Sequence, residues 1–222
     1  MDEAQVEAVV DAARDVVASG AISANGHGNI SIRSDGADEM YFTSAPSLRG
    51  LRADAVVRVG LDGELREGTL PPIQGAVVAM HTALYRDVPD TRCVVHTHSP
   101  FATAFAVANR AIDCWIEALA MFGLPEGVPV AAYGPRGSDQ AVANIRAALI
   151  PGTPAVLLAN HGVLVFHRSA ALAVQVGGIV EEAAMAAIHA SPVGGPVAIP
   201  RAMRAAALQR AIAFEAAGTK HA

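Results

Sequence analysis

Cysteine is scarce: the 222 residues hold two, Cys93 and Cys114. That count excludes a disulfide-stapled scaffold and favours a reducing compartment. An excess of positive charge is missing as well. Lys and Arg number 16 against 21 Asp and Glu, a formal net charge of −5, whereas a nucleic-acid binder presents a basic face to phosphate. No apolar run approaches the roughly 18–20 residues that span a bilayer. The N-terminus, Met1-Asp2-Glu3-Ala4, is acidic where a secretory signal would be basic. A soluble cytoplasmic protein is expected, with neither nucleic-acid nor membrane partners. Charged residues make up 17% and apolar residues 52%, the reverse of a disordered chain. Aromatics are only 5%, so the core rests on Ala and Val. Such side chains bury little area each and require close packing of helices on a sheet. The length fits one domain, residues 1–222, with a helical tail from about residue 195.

Val6, Val9, Val10, Ala13, Val16 and Val17 recur at helical spacing, and Ser19-Gly20 ends that helix. A Gly/Asn/Ser-rich loop, Ser23 to Asn29, precedes short strands near Ile30–Arg33, Met40–Thr43 and Ala55–Val59, with Asp62-Gly63 as a hairpin turn. The spacing gives helices over Gly75–Arg86, Pro100–Ala108 and Asp139–Leu149, the last capped by Ser138. Strands are expected at Arg92–His96, Val128–Ala132, Ala155–Leu158 and Val163–Phe166. The tail reads as helical over 169–190 and 200–217, broken by Pro192 to Pro200. Strands and helices are interspersed without strict β-α-β alternation, which favours an α/β sandwich with a mixed or antiparallel sheet.

The histidines carry most of the functional information. His96 and His98 form an H-x-H at a strand exit. Alternate strand residues share a face, so both imidazoles can meet one metal ion. The same pair would also serve as polar residues bonded to the backbone. His161 sits in an Asn-His-Gly turn between two apolar strands. There it is either a third ligand or a turn residue beside Gly162.

Thr91-Arg-Cys-Val-Val-His-Thr-His-Ser99, preceded by His81-Thr-Ala-Leu-Tyr85 and Pro89-Asp90, resembles the class II aldolase/adducin family. Gly28-Asn29-Ile30-Ser31, Thr43-Ser44, Ala132-Tyr133 and Leu157-Leu-Ala-Asn-His-Gly162 match it in the same order, from about residue 5 to residue 190. The resemblance implies a three-layer α/β/α sandwich with a mixed, mainly antiparallel central sheet. It also implies a homotetramer with sites between subunits. His96, His98 and His161 fall on the family's zinc ligands, so a divalent metal is implied: zinc first, with manganese or iron as alternatives. His81 and Tyr85 match a helix beneath the site.

The chain departs from the family where the acid/base belongs. The family's carboxylate, four positions before His81, is replaced by Val77. Two phosphate-holding serines are replaced by Gly75 and Ala76, while Asn29, Thr43 and Ser44 of the phosphate set remain. A phosphate with half its donors missing is costly to desolvate, so a non-phosphorylated substrate is expected. Glu117 falls on the family's catalytic tyrosine, which reaches the site from a neighbouring subunit; in the apolar stretch Cys114–Leu119 it is expected to act as an acid with a raised pKa. His27, between Gly26 and Gly28, is a second candidate, either to orient a substrate carboxylate or to act as a proton donor. Gln74 is expected to bond substrate where a serine once did. Arg33, Arg49 and Arg52 are unranked candidates for an acidic substrate, Trp115 belongs to an interface or a substrate platform, and Gly134-Pro-Arg-Gly137 carries no recognisable motif.

Together these expectations describe a metal-dependent carbon–carbon lyase. Its substrate would be a small keto- or hydroxy-acid, cleaved through a metal-stabilised enolate. Decarboxylation is favoured over aldol cleavage, because it needs no base on a hydroxyl. Three histidines with open positions also suit a non-haem iron oxygenase, and the family includes non-catalytic, adducin-like proteins. Retention of all three histidines counts against the last.

Overall fold

The computed structural model describes residues 1–218. Its strands are β1 (Gly28–Arg33), β2 (Glu39–Thr43), β3 (Val56–Gly60), β4 (Leu65–Glu67), β5 (Cys93–Thr97), β6 (Val130–Ala131), β7 (Ala155–Leu158) and β8 (Gly162–His167). They form one sheet in the order β4-β3-β2-β1-β5-β8-β7-β6. Only β6 and β7 pair in parallel; the other pairings are antiparallel. The mixed, mainly antiparallel sheet is therefore as expected.

Helices cover both faces. One face packs against α1 (Glu3–Ser19), α4 (Pro100–Val107), α5 (Glu117–Met121) and α7 (Ala170–Ala190); the other packs against α3 (Val78–Asp87) and α6 (Asp139–Ala148). Strand alternation sorts the two cores. Cys93 and Val95 of β5 join the first, and Val94 joins the second. Each buried valine contributes roughly 1.5–2 kcal/mol, so this Ala/Val core compensates by number and by close approach. Caps define the helix ends. Asp2 Oδ1 accepts from Ala4 N at 2.9 Å, Ser138 Oγ accepts from Ala141 N at 3.1 Å, and Gly20 takes φ +77° to close α1.

Four differences from the sequence reading bear on the site. β1 begins at Gly28, so Gly28 and Asn29 belong to the sheet rather than to a loop. Pairing with β5 extends it, Gly28 opposite Thr97 and Asn29 opposite His96. The helix expected over Gly75–Arg86 is instead two, α2 (Pro72–Gly75) and α3, broken at Ala76-Val77. α5 is too short for its periodicity to be legible. Finally, α7 is long and apolar enough, by length and composition, to cross a membrane, contrary to the expectation from run lengths. Here it is a core helix, burying Ala173, Val176, Val180, Ala183 and Ala184 against the sheet.

The tail helix, α8 (Arg201–Gly218), docks on the α5 segment. Arg204 is 6% exposed and forms the clamp. It donates to Ile199 O at 2.7 Å and to Pro125 O at 2.9 Å, and pairs with Asp113 at 3.0 Å.

Candidate metal centre

The register of two neighbouring strands builds the centre. β5 pairs with β8, placing His96 opposite Leu164 and Thr97 opposite Val163. His96 follows Val94 onto the α3/α6 face, and His98 continues the alternation just beyond the strand. The β7–β8 hairpin turns through Asn160, at φ +58°, and delivers His161 to the same spot. Gly162 permits that approach: a Cβ there would lie 2.5 Å from Thr97 O and 3.0 Å from His98 Cδ2.

The three imidazoles converge, with ring centroids 4.7–5.0 Å apart. His96 and His98 face each other Nε2 to Nε2 at 3.1 Å, and one nitrogen from each of the three rings lies within 4.8 Å of the others. Ligands each about 2.0–2.1 Å from one zinc ion stand about 3.4 Å apart, so the donor set fits a divalent metal. His96 Nδ1 donates to Val163 O at 2.9 Å. That bond fixes the tautomer and leaves the Nε2 lone pair for the centre.

Electrostatics keep all three rings neutral. Burial, then His161 and His98, hold His96 well below the usual histidine range. Burial, then His161, His27 and Arg136, push His98 down to about 4. His161 is lowered by burial and by Arg136. Neutral imidazoles are the ligating form.

Beneath the triad lies a buried polar relay. Asn29 Oδ1 can only accept, so His81 donates to it from Nε2 at 2.6 Å. His81 Nδ1 then accepts from Ser31 Oγ at 2.7 Å. Tyr85 donates to Ser31 O at 2.9 Å, its oxygen 2.8 Å from the same Oγ. The relay turns the Asn29 amide N–H groups away from His81, and Asn29 also lines the site cavity. His81 is fully buried, which pushes its pKa down to about 3. The N-terminus of α4, which follows His98 directly, is held by Glu181 of α7. Its carboxylate accepts from Phe101 N at 2.9 Å and Ala102 N at 2.8 Å. The sequence reading did not find this anchor, because it lies about 80 residues away in the chain.

A cavity of about 150 Å³ opens beside the triad, lined by His27, Asn29, Gln74, His96, His98 and Arg136 among others. No acidic side chain is among its described lining residues. His27 stands exposed at the rim, its ring 6.1 Å from that of His98. Gln74 is 3% exposed, and its Oε1 has no hydrogen-bond partner. Thr43 and Ser44 do not line the cavity; Thr43 Oγ1 accepts from Ile30 N at 3.1 Å and so braces β1. Val77 is buried among Val78, Met80 and Leu158, hydrocarbon where the resemblance places a carboxylate.

Glu117 lies outside the cavity. It opens α5 and is exposed, while Cys114, Leu119 and Ala120 are buried. The apolar surroundings expected for its carboxylate are thus absent within one chain. Trp115 is half-buried against Phe105, with ring centroids 5.3 Å apart. Of the arginines weighed from sequence, Arg33 pairs with Asp38, Arg52 pairs with Asp54, and Arg49 braces the 23–26 loop through Ala24 O and Ser23 O. The guanidinium at the site is Arg136, in the Gly-Pro-Arg-Gly segment set aside as too short to be a motif. Only the fold, which places the segment beside His161, reveals it.

The sequence model of the Class II Aldolase and Adducin N-terminal domain matches residues 7–188. A 5-methylthioribulose-1-phosphate/5-deoxyribulose-1-phosphate aldolase from Rhodospirillum rubrum is 31% identical over 177 residues, covering 79% of this chain and 76% of that protein. A 3-oxo-tetronate 4-phosphate decarboxylase from Haemophilus influenzae is 29% identical over 170 residues, 74% of this chain and 77% of that protein. Among solved structures, an L-fuculose 1-phosphate aldolase superposes with a TM-score of 0.83 at 23% identity, covering 95% of this chain and 97% of that one. That likeness speaks to the fold.

Proposed function

The chain belongs to the class II aldolase and adducin family and is a metal-dependent lyase of that family; we propose that it cleaves a carbon–carbon bond in a small, non-phosphorylated keto- or hydroxy-acid, by decarboxylation in preference to aldol cleavage. The observation that carries this reading is a triad of neutral imidazoles beside a cavity with no described acidic lining residue. The two named relatives, an aldolase and a decarboxylase, are named for phosphorylated substrates. Here the segment that resembles the family's phosphate and acid positions is Gly75-Ala76-Val77, which offers neither hydroxyl nor carboxylate.

His96, His98 and His161 would hold a divalent ion, zinc before manganese or iron, which would supply Lewis acidity for a substrate oxygen. The chain's own groups do the rest. Asn29, oriented by His81, donates to substrate from its amide nitrogen. Gln74 Oε1 accepts a hydrogen bond from a substrate hydroxyl. His27 at the rim delivers a proton to the carbon from which the carboxylate departs. Glu117 serves as a second acid across the interface of a cytoplasmic homotetramer. Its exposure in the single chain, with the exposure of Ile73 at the cavity and of Tyr133 nearby, supports a surface that a neighbour covers.

The test is a product screen. Metal-loaded protein is offered small keto- and hydroxy-acids and their phosphorylated counterparts, with CO2 and aldehyde release measured. Turnover of acids with CO2 release is expected. Turnover confined to phosphorylated sugars would overturn the assignment.

A further inference from the structure

Arg136 reverses the sign of charge expected beside this triad. The segment that resembles the family's acid position holds Val77, and a guanidinium now stands at the same site. Its placement is built into the backbone. Arg136 Nη1 donates to Ile73 O at 3.1 Å, on the segment that also carries Gln74. Gly137, at φ +76°, lies against Ala76; a Cβ there would be 3.0 Å from Ala76 Cβ and 3.1 Å from Ala76 O. Gly134 packs on Ala141, where a Cβ would be 2.5 Å from Cα. The small residues at 76, 134 and 137 thus let the arginine loop close over the positions that carry no acid. Arg136 lines two cavities that flank the triad.

A site with an exposed guanidinium, three ligands for a divalent ion and no described acidic lining group favours an anionic ligand. Gln74 Oε1, buried and unpartnered on the same cavity, requires a donor. We infer that Arg136 is a specificity-determining residue that binds a substrate carboxylate distinct from the oxygen at the triad, with Gln74 accepting from a substrate hydroxyl. The substrate class is a hydroxylated dianion with two acidic groups. This inference rests on the lyase reading of the same site. A carboxylate is favoured over a phosphate because Gly75 and Ala76 bring no side-chain donors to complete a phosphate shell.

Titration calorimetry on zinc-loaded protein tests it, with glycolate, tartronate and 2-phosphoglycolate as probes. Tartronate, with the additional carboxylate, should bind the wild type at least about tenfold tighter than glycolate, the size of one charge-assisted pair. Arg136→Gln should erase that advantage while zinc content is unchanged. Arg136→Lys, which keeps the charge and loses the planar fork, should retain part of it. Should Arg136→Gln fail to load zinc, the lysine variant decides alone: an undiminished tartronate advantage overturns the inference. An undiminished advantage in zinc-loaded Arg136→Gln also overturns it and leaves the lyase reading standing. Arg136-dependent binding of 2-phosphoglycolate tighter than that of tartronate would assign the guanidinium to phosphate and overturn the carboxylate. Absence of binding by all three anions to the zinc-loaded wild type would overturn the inference and the lyase reading together.

Discussion

The buried His81 makes the fold sensitive to acid in a way that can be worked through. The ring is fully enclosed, edge-on to Phe42 at 5.2 Å between centroids, with both nitrogens committed to Asn29 and Ser31. Burial lowers its pKa from 6.5 to about 3. The sign follows from proton uptake. Between those values the unfolded chain binds a proton that the folded chain refuses. The stability from neutral His81 is therefore present above about pH 6.5 and is lost as pH falls toward about 3. The slope for one such group is about 1.4 kcal/mol per pH unit, so about 2 kcal/mol is lost between about pH 7 and pH 5. Against a whole-domain stability of about 5–15 kcal/mol that is measurable. Urea unfolding of wild type and His81→Gln, at a series of pH values with the same metal loading, isolates the effect. The three triad histidines titrate in both proteins and cancel. The variant should be less stable near neutrality, by about 1–3 kcal/mol for the lost bonds, and the gap should shrink by about 2 kcal/mol at about pH 5. Parallel stability curves for the two proteins would refute the reasoning.

Other outcomes follow from the geometry of the centre. Gly162→Ala forces a methyl onto Thr97 O and the His98 ring; metal affinity should fall at least about tenfold, as read by competition with a chelator, and unaltered affinity would contradict the proposed role of the hairpin apex. If Glu117 acts across subunits, Glu117→Gln and His96→Ala should each lose most activity, typically about a hundredfold for an acid group. Refolding the two inactive variants together should restore part of it, and no recovery in demonstrated mixed tetramers would contradict the shared site.

The H-x-H pair was legible in sequence because strand alternation is a local rule that puts His96 and His98 on one face. His161 was legible through the turn and the family resemblance, but its meeting with the pair depends on β5 and β8 being neighbours, and pairing partners are not written in local sequence. The long helices α1 and α7 came through because periodic segments carry their own signal; the layered sandwich came through the family resemblance, and the order of the strands did not come through at all. What stayed hidden were contacts between residues far apart in the chain and contacts made by short irregular segments. Arg136 reaches the triad from a Gly-Pro-Arg-Gly loop whose spacing says only that the chain turns. Glu181 reaches the H-x-H exit from the far helix layer. Thr43, expected as a ligand-binding hydroxyl, braces the β1 backbone by accepting from Ile30 N, a contact no local pattern announces. The apolar neighbours of Glu117 turned inward, leaving its carboxylate exposed on the single chain.

The central claim is that three imidazoles hold a catalytic divalent ion. Elemental analysis of tag-free protein purified without oxygen, beside His96→Ala, tests it most directly. The account predicts about one equivalent of zinc, or of manganese, per wild-type chain, lost in the variant. Oxygen-sensitive iron would redirect the chemistry toward an oxygenase. A wild type that holds no metal and takes up none from zinc, manganese or iron would contradict the account.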